Sequence, residues 1–175
     1  HKDLPNLVKY KYERIFGYTP LDEKDAKRGT IGIPRVLNMY EDYPFWFTLF
    51  TNLGFRVIIS EKSTRKIYEK GMESMPSESV CYPAKLSHGH VISLIQKGIK
   101  TIFYPCMPYS RKEYQDANNR YNCPIVISYA EVIKNNVEEL KTNNIKFMNP
   151  FLPFESKQLM QRMMELEEFK EYNFT

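Results

Sequence analysis

The chain has 175 residues, of which 42% are hydrophobic and 14% aromatic, enough for the core of one ordinary domain and too many for a disordered one. Its net charge of +4 and pI near 8.8 are mild, and its Lys and Arg are interleaved with Asp and Glu, which argues against the concentrated basic face of a nucleic-acid binder. No run approaches the roughly 18 consecutive apolar residues of a membrane span, and no signal peptide opens the chain. Three cysteines without a Cys-x-x-Cys pair argue against a disulfide framework and point to a reducing, cytoplasmic setting. His1, standing where a Met would, suggests a piece excised from a larger protein, with His1 a tag remnant.

Pro5, Leu7, Val8, Tyr12, Ile15 and Phe16 have helical spacing up to Gly17, with Lys9, Lys11 and Arg14 on the solvated side. With the polar stretch from Thr19 to Gly29 this makes residues 1–29 a lead-in to a domain over 30–175. Thr30 to Ile33 reads as a first strand stopped by Pro34, which cannot donate to a ladder. Asp42 as cap and Pro44 in the first turn announce a helix with Phe45, Trp46, Leu49, Phe50 and Leu53 on one face, ended by Gly54.

Phe55 to Ile59 is β-branched and reads as a second strand. Ser63 to Lys70 forms a short helix closed by Gly71, and a longer one runs from Pro83 through Leu86, Val91, Leu94 and Ile95 to Gly98. Ile99 to Tyr104 is the third strand, Pro124 to Ser128 the fourth and Ile145 to Met148 a weaker fifth. Ala130 to Lys141 and Glu155 to Tyr172 are the remaining helices, with Glu165, Glu167 and Glu168 as a solvated face. Met107 to Asn122 is polar and aperiodic, a long loop of the kind that is usually functional or mobile. The alternation predicts a three-layer, Rossmann-like or flavodoxin-like parallel sheet of about five strands, helices on both faces, in the order 2-1-3-4-5.

Ligands of such sheets sit outside the strand carboxyl ends, where the winding reverses. The loop after the first strand brings Arg35, Asn38, Tyr40 and Glu41 there, and the loop after the third brings Cys106 and Tyr109. Cys81 stands before the Pro83 helix, a position that favours the thiolate form metals bind. Cys123, just before the expected fourth strand, belongs to the opposite edge, since a five-residue strand spans roughly 16 Å. Cys81 and Cys106 are therefore the metal candidates, and the bland alternative is three buried structural thiols.

Cys81, Lys85 and His88 share a helix face while His90 points away. A zinc site of Cys81, Cys106 and a histidine lacks the usual paired spacing, and the histidines read better as packed or hydrogen-bonded at the sheet. Glu41 and Asp42 fit a helix start better than an acid–base pair. Neither Gly-x-Gly-x-x-Gly nor Gly-x-x-x-x-Gly-Lys-Ser/Thr is present, and no nucleophile–His–acid set can be argued from spacing.

Gly32-Ile33-Pro34-Arg35-Val36-Leu37-Asn38-Met39-Tyr40-Glu41, Tyr43-Pro44-Phe45-Trp46, Cys81-Tyr82-Pro83-Ala84-Lys85 with His88-Gly89-His90, and Asn122-Cys123-Pro124 resemble one domain. It is the uncharacterised domain of the long 2-hydroxyacyl-CoA dehydratase activators, also called CoA-substrate-specific enzyme activases. Tyr10-Lys11-Tyr12 to Leu21 resembles the segment that joins it to the domain before it. The resemblance implies an upstream ATPase domain in the same polypeptide, dehydratase-like partner subunits, and an anaerobic electron-transfer setting. It further implies an iron–sulfur cluster on Cys81 and Cys106, placed as in those subunits, with a third ligand from beyond Thr175. The ATPase motifs are absent here, so hydrolysis is not expected of this chain.

Three readings follow. The first is an accessory domain that relays electrons through Cys81 and Cys106 or docks the dehydratase-like partner, with Arg35, Asn38 and Tyr40 around the crevice. The second is a docking module whose cysteines only fill space. The third is a CoA-ester or nucleotide site with Arg35 and Lys85 on phosphate.

Overall fold

The computed structural model describes residues 4–166 together with Phe169 and Lys170. The residues expected to be a tag remnant, His1, and part of the acidic helix face, Glu167 and Glu168, lie outside the described residues, as does the expected helix end at Tyr172. Four short parallel strands, β1 (Thr30–Ile33), β2 (Arg56–Ile59), β3 (Thr101–Phe103) and β4 (Lys146–Met148), form one sheet in the order β2-β1-β3-β4. Their inner residues Ile31, Ile33, Val57, Ile102 and Phe103 are buried, as expected of strands covered on both faces.

One layer holds α1 (Leu7–Phe16), α2 (Met39–Asn52) and α7 (Ser156–Glu165) around an aromatic core that includes Trp46, Phe50 and Phe103. The other holds α4 (Tyr82–Gln96) and α5 (Pro124–Asn136), followed by the short α6 (Glu139–Thr142), around Ala84, Val91, Leu94, Ile102, Tyr129 and Ile133. The short helix α3 (Arg65–Gly71) and a 3₁₀ turn (Met72–Ser74) pack on the outside of α4. This is the three-layer parallel class anticipated from the alternation of elements.

The expected fourth strand, Pro124 to Ser128, is instead the first turn of α5, which leaves four strands rather than five. Cys123 is the extended N-cap and Pro124 the first helical residue, where its missing N–H is no loss. Val126, Tyr129, Ala130 and Ile133 then face the core at helical spacing. The β-branched run Ile125-Val126-Ile127 imitates a strand only because its first turn is half buried.

Helix α2 likewise starts a turn earlier than Asp42 and Pro44 suggested. Asn38 is its N-cap, reached through a turn with Leu37 at φ +45, and Pro44 lies inside the helix. An interior proline costs about 3 kcal/mol. The stripe that enters the core is Met39, Tyr43, Trp46, Phe47 and Phe50, leaving Phe45 and Leu49 on an outer wall. The polar loop from Met107 to Asn122 is an arm pinned at its base by the Tyr109–Tyr121 bridge and the bonds Ser110 N–H to Arg120 O and Asn122 N–H to Pro108 O.

Helices α3 and α4 meet backbone to backbone. A Cβ placed on Gly89 would lie 1.6 Å from the Ile67 carbonyl oxygen, and one on Gly71 would lie 2.4 Å from the Gly89 nitrogen. Only glycine at these two positions lets the backbones meet. Because that clash is with backbone, Gly89→Ala should destabilise the fold by about 3 kcal/mol or more. Denaturant unfolding against the parent measures this, and a loss under about 1 kcal/mol would mean the helices are further apart than described.

Candidate functional site

Right-handed crossovers run the helices of a parallel sheet antiparallel to its strands, so strand ends and helix starts meet at one rim. Residues 34–38, after β1, and Tyr104 to Tyr109, after β3, flank the reversal point. Arg35 is buried there. Its backbone N–H donates to Ser60 Oγ at 2.7 Å, its Nε–H to the Ser60 carbonyl at 3.1 Å, and Nη1 to the Tyr12 hydroxyl. The guanidinium lies 4.6 Å from the Phe16 ring centre and 5.3 Å from that of Tyr12. Arg35 thus ties α1 to the end of β2 through Nε and Nη1. Lys11 adds to this link through a 2.8 Å ion pair with Glu41.

Both histidines of α4 are fully buried and bonded at both nitrogens. Ser60 Oγ, which accepts from Arg35 N–H, lies 2.9 Å from His90 Nδ1, and Ser63 Oγ lies 3.0 Å from His90 Nε2. Ser63 in turn lies 3.4 Å from the Tyr40 hydroxyl. For His88 the roles are fixed by Ser74. Ser74 donates to the Gly71 carbonyl and so accepts from His88 Nδ1–H at 2.8 Å, while the Tyr129 hydroxyl donates to Nε2 at 3.0 Å. Burial pulls the pKa of each ring down to about 4, for His90 with help from Arg35. With every nitrogen occupied, neither histidine is open to a zinc ion beside Cys81 and Cys106.

Asn38 is buried, donating through Nδ2 to Asp42 at 3.0 Å, and its Oδ1 has no partner among the described residues. Burial raises the Asp42 pKa to about 6. Lys85 is half buried one turn into α4, its N–H donating to the Cys81 carbonyl at 3.2 Å. Of the expected ligand-binding set, Arg35 and Tyr40 thus join one network through Ser60, His90 and Ser63, Asn38 is held by Asp42, and Lys85 belongs to the Cys81 neighbourhood.

The cysteines depart furthest from expectation. Cys81 is the exposed N-cap of α4 and Cys123 the exposed N-cap of α5, and these helices pack together. Cys123 therefore shares the carboxyl rim with Cys81, and is not on the far edge where a fourth strand would have put it. Its neighbour Asn122 confirms the placement, bonding the carbonyls of Met107 and Pro108, next to Cys106 in sequence.

Cys106 extends the β3–β4 pairing, bonded to Pro150 and Leu152, and is buried. Its thiol faces Ala130 and Glu131, about two helical turns along α5 from Cys123. Burial first, then the Glu131 carboxylate, pushes its pKa up to about 11. Among the described residues no three Cys, His, Asp or Glu side chains come together for a metal. The donors have the soft chemistry iron requires but not its convergence, because Cys106 turns inward. Each cysteine is accompanied by an exposed aromatic: Tyr82 follows Cys81, Tyr121 precedes Cys123 by two residues, and Phe151 pairs with Cys106.

The family model described as the CoA enzyme activase uncharacterised domain matches residues 30–174. The chain belongs to that family. No curated protein and no solved structure matches it. The match begins at the first residue of β1, and α1, which precedes it, packs on α2. No helix among the described residues is long and apolar enough to cross a membrane.

Sequence reasoning missed Ser60 and Ser63 as histidine partners, since residues 27 to 30 positions apart are joined only by the fold. It also missed the role of Gly89 between the two histidines. The opposed titrations give a pH signature. The unfolded chain protonates both histidines near 6.5, the folded chain only near 4, so stability falls as pH drops through that window. Asp42, whose folded pKa is raised, works the other way below about 6. The expected net slope near pH 5 is ~1 kcal/mol per pH unit, rising to ~2.5 in Asp42→Asn. Urea titrations at pH 4.5 to 6.5 check both, and a flat profile in the variant would contradict neutral buried histidines.

Proposed function

We propose that this CoA enzyme activase domain is an accessory docking domain whose carboxyl rim receives a dehydratase-like partner subunit, with an ATPase domain upstream in the same polypeptide. The observation that carries the reading is the rim itself. Tyr82, Tyr121 and Phe151 are 55%, 70% and 58% exposed along it, beside the exposed thiols Cys81 and Cys123. Exposed aromatics set among polar groups are the typical anchors of protein interfaces.

Electron relay is the second reading, favoured by the two exposed thiols on the N-caps of neighbouring helices. In it Cys81 and Cys123 would hold an iron–sulfur cluster together with ligands from the docked partner, and iron would supply the redox change while its ligands stay put. Cys106, protonated and buried, fits a packing role better than a ligand role.

Two variants separate the readings. Tyr82→Ser, Tyr121→Ser, Phe151→Ser should keep the thermal melt of the parent and weaken binding of a dehydratase subunit about tenfold or more. Cys81→Ser, Cys123→Ser should leave that binding intact under docking alone. Unchanged affinity of the aromatic variant, measured by titration calorimetry, would refute docking at this rim. Anaerobic iron and sulfide added to the assembled pair addresses the relay: a brown chromophore lost in the double cysteine variant supports it, and a colourless complex removes it.

A further inference from the structure

A cavity of about 600 Å³ opens on the α2 and α7 side of the molecule, and no cysteine lines it. That volume lies within the range of about 300–1,000 Å³ usual for small-molecule sites. Its floor is apolar: Phe45 and Leu49 from the outer wall of α2, Phe154 from the segment after β4, and Leu159 and Met163 from α7. The floor is also shaped, since Phe45 and Phe154 meet edge to face at 5.1 Å.

The mouth has the opposite character. The arm over Met107 to Asn122 brings Arg111, Lys112 and Arg120 to it, three cations against the single carboxylate of Glu155. Arg120 is fixed by that carboxylate at 2.7 Å and lies 4.7 Å from the Tyr109 ring centre. Tyr109 is itself anchored, donating to Gln158 on α7 at 2.6 Å. Arg111 and Lys112 have no hydrogen bond or ion pair among the described residues. The arm is therefore tied down by Tyr109 and Arg120 in a way that leaves two charges at the mouth without a counterion among the described residues.

We propose that this cavity binds a small amphipathic anion, with an apolar arm on the phenylalanine and methionine floor and a carboxylate or phosphate head between Arg111 and Lys112. A bare phosphate leaves the floor unfilled, and a neutral hydrocarbon leaves the two cations unused. Only a ligand carrying both parts matches the site. None of the residues lining the cavity is among the docking aromatics, the two regions meeting where Tyr109 packs on Tyr121, and the variants that test the cavity leave those aromatics in place.

Four probes below their micelle concentrations test it by calorimetry on the 175-residue chain: decanoate, decyl phosphate, decanol and inorganic phosphate. At least one of the two amphipathic anions should bind about tenfold or more tightly than decanol and inorganic phosphate, and which of them binds better identifies the head. Arg111→Glu, Lys112→Glu, both exposed and away from the core, should lower anion affinity about tenfold and leave decanol unaffected. Met160→Glu, on the exposed lip, should weaken the two amphiphiles while leaving the melting temperature unchanged. Equal affinity for decanol and the anions, or no heat from any probe with the parent chain, overturns the proposal.

Discussion

The structure depends on one constraint of handedness. A right-handed crossover returns each helix antiparallel to the strands it joins, so every helix start and every strand finish on this sheet meets at the same rim. Because α4 and α5 both begin there, their N-cap cysteines are neighbours, and the ends of β3 and β4 place Cys106 and Phe151 beside them. Local chain chemistry then decides what is exposed. N-capping leaves Cys81 and Cys123 in solvent, whereas strand pairing turns Cys106 into the core.

Behind this rim the packing is tight, and both buried histidines are bonded at each nitrogen, while Asn38 Oδ1 and Ser93 Oγ have no partner among the described residues. The glycine contact draws α3 onto α4 so closely that serines on both sides of it reach the two histidines. Such fully bonded buried polar groups fix one arrangement of the core, because any shift would strand a donor or acceptor out of reach of water. Arg35 extends the same network outward through Tyr12, which is how a helix preceding the family domain becomes part of its packing. The histidine pair thus holds α3, α4 and the end of β2 in place as neutral rings.

The fold class was legible because apolar runs and helical faces alternate along the chain, and all four strands lie within stretches expected to be strands, 30–33, 55–59, 99–104 and 145–148. The error at Pro124 came from reading Ile125-Val126-Ile127 by propensity, when a proline preceded by an extended residue marks a helix start equally well. That single reversal moved Cys123 from one rim to the other. Pro44 misled in the opposite way, since prolines inside helices are costly enough to be read as starts. Residues joined across the fold, such as Ser60 with His90 or Arg120 with Glu155, have no signature in spacing at all. The cavity behind the arm was foreshadowed only by the length of the loop from Met107 to Asn122.

The shared rim of the two exposed thiols is the claim to test first. Neighbouring packed helices lie about 8–10 Å apart, whereas opposite sheet edges are separated by the strands themselves, about 16 Å for five residues. In a Cys106→Ala background, a short flexible bismaleimide should join Cys81 to Cys123 within one chain, seen as a linked peptide by mass spectrometry. Free labelling of both thiols by a monofunctional maleimide, with no intramolecular link at that reach, would contradict the account.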